Sequence, residues 1–461
     1  MAGINRWPVE VGNENCGAPW FACGWRPETR WIASRIRNGL VTGRHGQDEP
    51  GMPAILGVHN RYQQAGGEDV VFEAEMALLE RVGHRVGRFV VDNSTIPDSL
   101  GMVDRVRLAA RTIWSRQSAV HIRQAIRAFR PDVVHVHNTF PLLSPAIYEA
   151  CASERVPVVQ TLHNYRLVCP TATLFRDGHP CEDCVGHRLR LPGVLHACYQ
   201  DSRVKSAVVA GMLAFHDARG TWDRVTTYIA LSEFSRSVFV RGGLSADRIV
   251  VKPNFIEPDP GGRRADGDAF VFVGRLAPEK GLDTLLRAWS LVPQDVRIVI
   301  VGDGPMAAGV EEAAAMHGNI EMLGRRDRQE VLSIMAASRA VIVPSVWYEG
   351  APLTVLEAFG CGAPVIASRL GSLEEAIDHG RTGLHFAPGR ADELAGAVTW
   401  MTKHADEARA MGNAARAEYL SRYTGKRNYA DLLSIYKGAL ATAEFREGRE
   451  AGPATTRSSD W

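Results

Sequence analysis

The chain has 461 residues, with 53 Lys and Arg against 52 Asp and Glu and a net charge of +1, so bulk charge gives no reason to expect a nucleic-acid partner. Its 45% hydrophobic and 23% charged content is that of a soluble globular protein, and its length suits two α/β domains better than one. It has no apolar run of the roughly eighteen residues that a transmembrane helix needs, no signal-peptide core and no dense cysteine framework, so a cytoplasmic protein is expected.

Residues 1–51 hold Trp7, Trp20, Trp25 and Trp31 without sustained periodicity and are expected to be a poorly ordered extension. Met52 stands just before the first expected strand, 54–59. A loop with Gly66-Gly67-Glu68-Asp69 and a helix over 70–82 follow. Between Asp104 and Asp132 lie Arg105, Arg107, Arg111, Arg116, Arg123, Arg127 and Arg130 with no acidic residue, interleaved with apolar positions such as Val106, Trp114 and Ile126. This basic helical region is either a solvated face or a surface attracted to anionic lipid.

Strands are expected at 132–137, 157–163, 227–232 and 249–251. His135 and His137 sit two apart on one strand and so share a face; no third metal ligand is evident beside them. His163 ends the next strand. Cys169, Cys181, Cys184 and Cys198 then cluster in thirty residues, half of all the cysteines, and a Cys-x2-Cys pair flanked by two more resembles a zinc knuckle. Structural zinc, free thiols and a redox role all stay open. His179, His187 and His196 are possible substitute ligands.

A Pro- and Gly-rich linker spans 258–268. Its Asp266-Gly267-Asp268 has the pattern of a metal-binding pair, but a solvated turn explains it better. Strands follow near 269–273, 297–301, 319–323, 340–343 and 364–367. Strands alternating with helices indicate parallel sheets with helices on both faces and ligands at the strand carboxyl ends.

Two loops at such ends carry charge. After strand 269–273 comes Gly274-Arg275-Leu276-Ala277-Pro278-Glu279-Lys280-Gly281, with two cations that can stabilise a departing diphosphate. After strand 340–343 comes Glu349-Gly350-Ala351-Pro352-Leu353 and a helix holding Glu357. Two carboxylates beside a helix N-terminus suit hydroxyls and a phosphate together.

These residues, with Gly302-Asp303-Gly304-Pro305 and Gly360-Cys361-Gly362-Ala363-Pro364-Val365-Ile366-Ala367, resemble the retaining nucleotide-sugar glycosyltransferases of the GT-B fold, family four, also called group 1, over roughly 54–440. The resemblance implies two Rossmann-like domains facing a cleft. It implies an acceptor domain at 52–256 with a cysteine-rich insertion at 169–198, and a donor-nucleotide domain at 257–425. A helix at 426–446 would return to the first domain, and 447–461 would be a mobile tail. It further implies that Arg275 and Lys280 hold the diphosphate, Glu349 the donor sugar and Glu357 the ribose. Gly350, Ala351, Pro352 and Leu353 would approach the phosphates, with Leu323 and Gly324 near the base. His137 would lie close to the donor sugar, with His163 facing the same cleft and Gly66 and Gly67 over the phosphates.

The expected partners are a nucleotide diphosphate-sugar and a hydroxyl acceptor, a lipid-linked glycan among the options, with peripheral attachment to the inner membrane face and a role in bacterial surface glycans. No metal is expected to be required for transfer. Two other readings stay open. One is a non-catalytic sugar-nucleotide binding protein. The other is a dinucleotide-dependent oxidoreductase built on Gly302-x-Gly304-x-x-Ala307 with Glu321 downstream.

Overall fold

A computed structural model describes residues 52–450 except 64, 65, 98 and 264–266, with side chains to 445. The expectations for residues 1–51 and for 451–461 lie outside the described residues.

Strands β1 (Ile55–Arg61), β2 (Val86–Asp92), β3 (Val133–Val136), β4 (Val158–Leu162), β7 (Thr227–Ala230) and β8 (Ile249–Val251) form one parallel sheet in the order β2-β1-β3-β4-β7-β8. Between β4 and β7 the chain makes a two-residue ribbon, β5 (Phe175–Arg176) against β6 (His179–Pro180). Strands β9 (Phe270–Val273), β10 (Ile298–Val301), β11 (Ile320–Gly324), β12 (Ala340–Val343), β13 (Val365–Ser368) and β14 (Gly383–Phe386) form a second parallel sheet, in the order β11-β10-β9-β12-β13-β14.

Both sheets are covered on both faces, which is why their inner strands read as largely unbroken apolar runs. In the first, Ile55, Val133, Val159 and Ile229 pack on one side, while Leu56, Val58, Val134 and Val136 pack on the other. In the second, Phe270, Phe272, Ile298 and Ile342 oppose Val271, Val299, Val341 and Val343. The alternation follows from successive side chains pointing to opposite faces. Each fully buried residue of this kind contributes roughly 1.5–3 kcal/mol.

The chain passes from the first sheet to the second and then returns. Ile256 pairs with Thr424, and the helix Gly425–Glu450 runs back over the first sheet, four residues beyond the expected 446. There Leu432, Tyr436 and Ala439 are fully buried against Ile55, Phe72 and Met76. The Tyr436 hydroxyl lies 2.8 Å from His135 Nδ1. Among the described residues no helix is long and apolar enough to cross a membrane.

Strands β2 and β14 were not expected from the sequence. The helix expected at 70–82 begins earlier, at Gly67, because the Asp69 carboxylate accepts the Gly66 N–H at 2.7 Å and fixes the first turn there.

Candidate functional site

In the second sheet the strand order reverses between β9 and β12, so their following loops diverge and leave a crevice, the position where open α/β sheets take ligands. The two charged loops of the sequence are the two that leave these strands. Lys280 Nζ lies 2.7 Å from Glu349 Oε1, which also accepts from Ser345 Oγ at 2.6 Å. Burial pushes the Glu349 carboxyl up, but the Lys280 charge and the hydrogen bonds from Lys280 and Ser345 together hold it below the usual carboxylate range. Lys280 also lies 5.2 Å from the centre of the Trp347 ring. Its side chain keeps a quarter of its surface, and an ammonium has three donors, so the pair leaves N–H groups for a ligand.

The loops are locked together by backbone. Val346 N–H donates to Glu279 O at 3.0 Å. Gly281 has φ 74°, and a Cβ there would sit 1.9 Å from the Pro344 carbonyl oxygen, so only glycine fits. Behind them lies the Gly302-to-Pro305 turn. Leu276 N–H donates to Asp303 O, Met306 N–H donates to Leu276 O, and a Cβ on Gly302 would lie 1.9 Å from Gly274 O. The close approach these glycines permit is taken up by protein, where a dinucleotide fold gives it to a pyrophosphate. Glu321 is paired with Arg297 at 3.3 Å. The turn is therefore a support for the Arg275 loop. Arg275 itself is exposed and makes no ion pair among the described residues.

Glu357 is 3.3 Å from Arg328 Nε, at the start of the helix Arg328–Ala336 that follows β11. Burial raises its carboxyl against the lowering effect of Arg328. Leu323 and Gly324 end β11, and Gly324 O accepts the Gly302 N–H. Arg328 was not singled out in the sequence; its place one strand from Glu357 is a tertiary fact.

The first sheet reverses between β1 and β3, and the loops of Gly66, Gly67 and His137 leave there. A group of imidazoles lies beneath them. His59 Nε2 is 2.8 Å from Asp69, and His137 Nδ1 is 2.9 Å from His163 Nε2. His135 bonds Tyr436 and Thr161. Burial brings the His135 imidazole down to about 4 and holds His137 and His163 well below 6.5, so all three are neutral at pH 7. The His137 side chain is fully buried, while His163 keeps some surface. His137 thus supports His163 from behind.

A third group does stand beside His135 and His137, contrary to the sequence reading. Glu75, fully buried, brings the three ligand atoms within 4.8 Å of one another. Lys252 Nζ, however, is 2.7 Å from Glu75 and 2.5 Å from Asn428 Oδ1. The buried ammonium already supplies the positive charge that a metal would bring there. Glu75 and Lys252 gave no sequence signal: Glu75 is one of several acidic residues on its helix, and Lys252 is a single cation just after a short strand.

The site residues of the two domains meet across the cleft. A Cβ on Gly350 would sit 2.7 Å from His163 O, and one on Gly67 would sit 3.8 Å from Leu353. Asn254 Nδ2 donates to Ala351 O at 3.2 Å. On the rim, Asn164 Nδ2 donates to Glu68 at 2.5 Å and to Tyr62 at 3.2 Å. Burial pushes the Glu68 carboxyl up to about 7.

Cys169, Cys181, Cys184 and Cys198 line one small cavity. The arginine run forms the helices Met102–Ile113 and Arg116–Phe129. Met102, Val103 and Val106 are exposed on the first, whereas Ile122 and Ile126 are buried and Arg127 pairs with Glu154 at 2.8 Å. A 930 Å³ depression lined by His379, Arg381, Glu393, Trp400 and Glu407 lies beyond β14, away from both charged loops.

Two Rossmann-like domains with their switch-point loops turned to one cleft define the GT-B class of proteins. The chain matches the Glycosyltransferase Family 4 model over residues 65–260 and the Glycosyl transferases group 1 model over residues 256–418. It belongs to the group 1 glycosyltransferases. It is 35% identical to D-rhamnosyltransferase WbpZ of Pseudomonas aeruginosa over 159 residues, 34% of this chain and 41% of that protein. It is 34% identical to D-inositol 3-phosphate glycosyltransferase of Mycobacteroides abscessus over 191 residues, 39% of this chain and 41% of that one. The matched segments thus span under half of these two relatives. In fold it is similar to Anabaena Alr3699/HepE in complex with UDP, with a TM-score of 0.60 at 19% identity over 83% of this chain and 99% of that one. Sucrose-phosphate synthase from Thermosynechococcus elongatus gives 0.62 at 17% identity over 84% and 99%.

Proposed function

We propose that this chain transfers a sugar from a nucleoside diphosphate-sugar to an acceptor hydroxyl with retention of anomeric configuration, in the assembly of a bacterial surface glycan or glycolipid. The observation that carries this reading is the Lys280–Glu349 pair set in the crevice between β9 and β12, with Arg275 exposed on the same loop. The related D-rhamnosyltransferase and D-inositol 3-phosphate glycosyltransferase, and the structural neighbour that holds UDP, support it.

In this reading the bond from the sugar's anomeric carbon to the diphosphate breaks, and Arg275 and Lys280 stabilise the charge left on the departing phosphate oxygen. The acceptor oxygen bonds to the same carbon from the leaving-group side, and its proton passes to the diphosphate. Glu349 accepts from sugar hydroxyls and Glu357 from the ribose. Neutral His163, held by His137, offers a hydrogen bond without adding charge. With two fixed cations at the phosphates, transfer needs no metal. The exposed Met102, Val103 and Val106 beside Arg105 and Arg107 suit an anionic membrane surface, as a lipid-linked acceptor requires.

The test is a donor screen scoring release of UDP, GDP, ADP or CDP, with the product's anomeric configuration read by NMR. One donor should turn over in the presence of EDTA. Tight nucleotide binding without turnover of any donor would instead favour a sugar-nucleotide sensor.

A further inference from the structure

We propose that Cys169, Cys181, Cys184 and Cys198 hold one tetrahedral zinc ion that staples the segment between β4 and the helix Arg203–Ala218. The four sulfurs come from separate pieces of backbone. Cys169 lies in the turn after β4, Cys181 directly after β6, Cys184 in the next turn, and Cys198 after the short helix Leu191–Leu195. All four nevertheless face one cavity, and no disulfide joins any of them. His179, His187 and His196 are exposed and none lines the cavity, so the ligand set is cysteine alone.

A metal ligand must be a thiolate, and a bound cation itself drives that deprotonation. Four thiolates on Zn²⁺ leave two negative charges. Arg176 lines the cavity and offsets one of them, while its bond to Asp183 at 3.0 Å braces the Cys181–Cys184 turn. At Gly193 a Cβ would lie 3.3 Å from the Cys184 sulfur and 2.8 Å from Pro170, so the wall there is closely fitted.

The segment needs such a staple. Its regular structure is a two-residue ribbon and a five-residue helix. Of the ten non-glycine residues with positive φ among the described residues, seven are here: Ala172, Leu174, Asp177, Arg190, Ala197, Gln200 and Asp201. Strained backbone persists only where its surroundings over-determine it. A metal tying four points together does so where a small core cannot. Among the described residues only Glu75, His135 and His137 bring three ligand atoms within 4.8 Å. The sulfurs therefore stand wider than the about 3.8 Å that ~2.3 Å tetrahedral bonds impose, and loading draws the side chains inward.

The staple borders the site. Cys169 N–H donates to Tyr165 O, and Asn164, one residue earlier, bonds Glu68 on the cleft rim. Metal content is independent of the transfer reading and is measured apart from it. Full-length protein purified without chelator should contain about one zinc per chain by elemental analysis. Titration with a mercurial thiol reagent should release it to a metal indicator. Reduced, zinc-stripped protein titrated with Co²⁺ should develop a sulfur-to-cobalt charge-transfer band and tetrahedral d–d bands. Cys181→Ser and Cys198→Ser should weaken that band, whereas Cys151→Ser, at a buried cysteine elsewhere, should leave it intact. Absence of zinc together with absence of the cobalt band overturns the proposal, as does a disulfide between any two of the four found by mass spectrometry. The cobalt titration of the unaltered chain decides even if the variants fail to fold.

Discussion

Lys280 and Arg275 sit on one loop but answer to different neighbours. Lys280 neutralises Glu349, which is 5% exposed, whereas Arg275 is exposed and makes no ion pair among the described residues. Removing one cation from a developing phosphate charge costs roughly 3 kcal/mol of barrier, so Lys280→Ala and Arg275→Ala should each lower kcat by about 100-fold or more. Only Lys280→Ala should also lower Tm, because it strands a buried carboxylate. Equal thermal stability of the two variants would show that the pair contributes nothing to the fold. Glu357→Gln should weaken nucleotide binding by calorimetry, with a smaller effect on the rate at saturation. These residues were legible in the sequence because both loops keep their charges close together in the chain. Their partners were not. Arg328 meets Glu357, 29 residues on, and Lys252 meets Glu75, 177 residues back, only once the elements that carry them have packed together.

At the level of elements, the fully covered strands announced themselves and two edge strands did not. Strand β2 reads Val86-Gly-Arg-Phe-Val-Val-Asp92, and β14 is the four residues Gly383–Phe386 with His385 inside. An edge strand meets fewer neighbours, so glycine and polar residues survive in it and no unbroken apolar run marks it. The returning helix was anticipated, but its polar tie was not. Tyr436, fully buried, bonds His135 on β3, far away in sequence. Tyr436→Phe keeps the packing and orphans a buried ring nitrogen, at a cost of about 1–3 kcal/mol. Urea unfolding should show that loss; a change within error would mean that His135 finds another partner. The helix Met102–Ile113 carries a different prediction. Arg105→Gln with Arg107→Gln should reduce pelleting with anionic vesicles at low salt and leave Tm unchanged. Equal binding to neutral vesicles would remove the electrostatic argument.

A group of neutral imidazoles is buried in the first domain, and this shapes the response of the protein to acid. In the unfolded chain each His takes up a proton near pH 6.5, whereas folded His135 does so only near 4, and His137 and His163 well below 6.5. Between those values the unfolded state binds more protons, so stability present at neutral pH is lost as the pH falls from about 6.5 toward 4. His135 alone accounts for about 3 kcal/mol over that window, at 1.36 kcal/mol per pH unit. Glu68 acts in the opposite direction. Burial raises its carboxyl to about 7 from 4.5 in the unfolded chain, so between those values the folded state binds more protons and gains stability as the pH falls. The two effects overlap between pH 4.5 and 6.5. Glu68→Gln removes the gain and leaves the histidines, so its loss of stability on acidification should be steeper than that of the unaltered chain. The comparison needs only unfolding free energies of both proteins at several pH values across that range. A slope in the variant equal to or shallower than that of the parent would mean that Glu68 titrates in the folded protein as it does in water, and that the rim of the cleft is wetter than its geometry indicates.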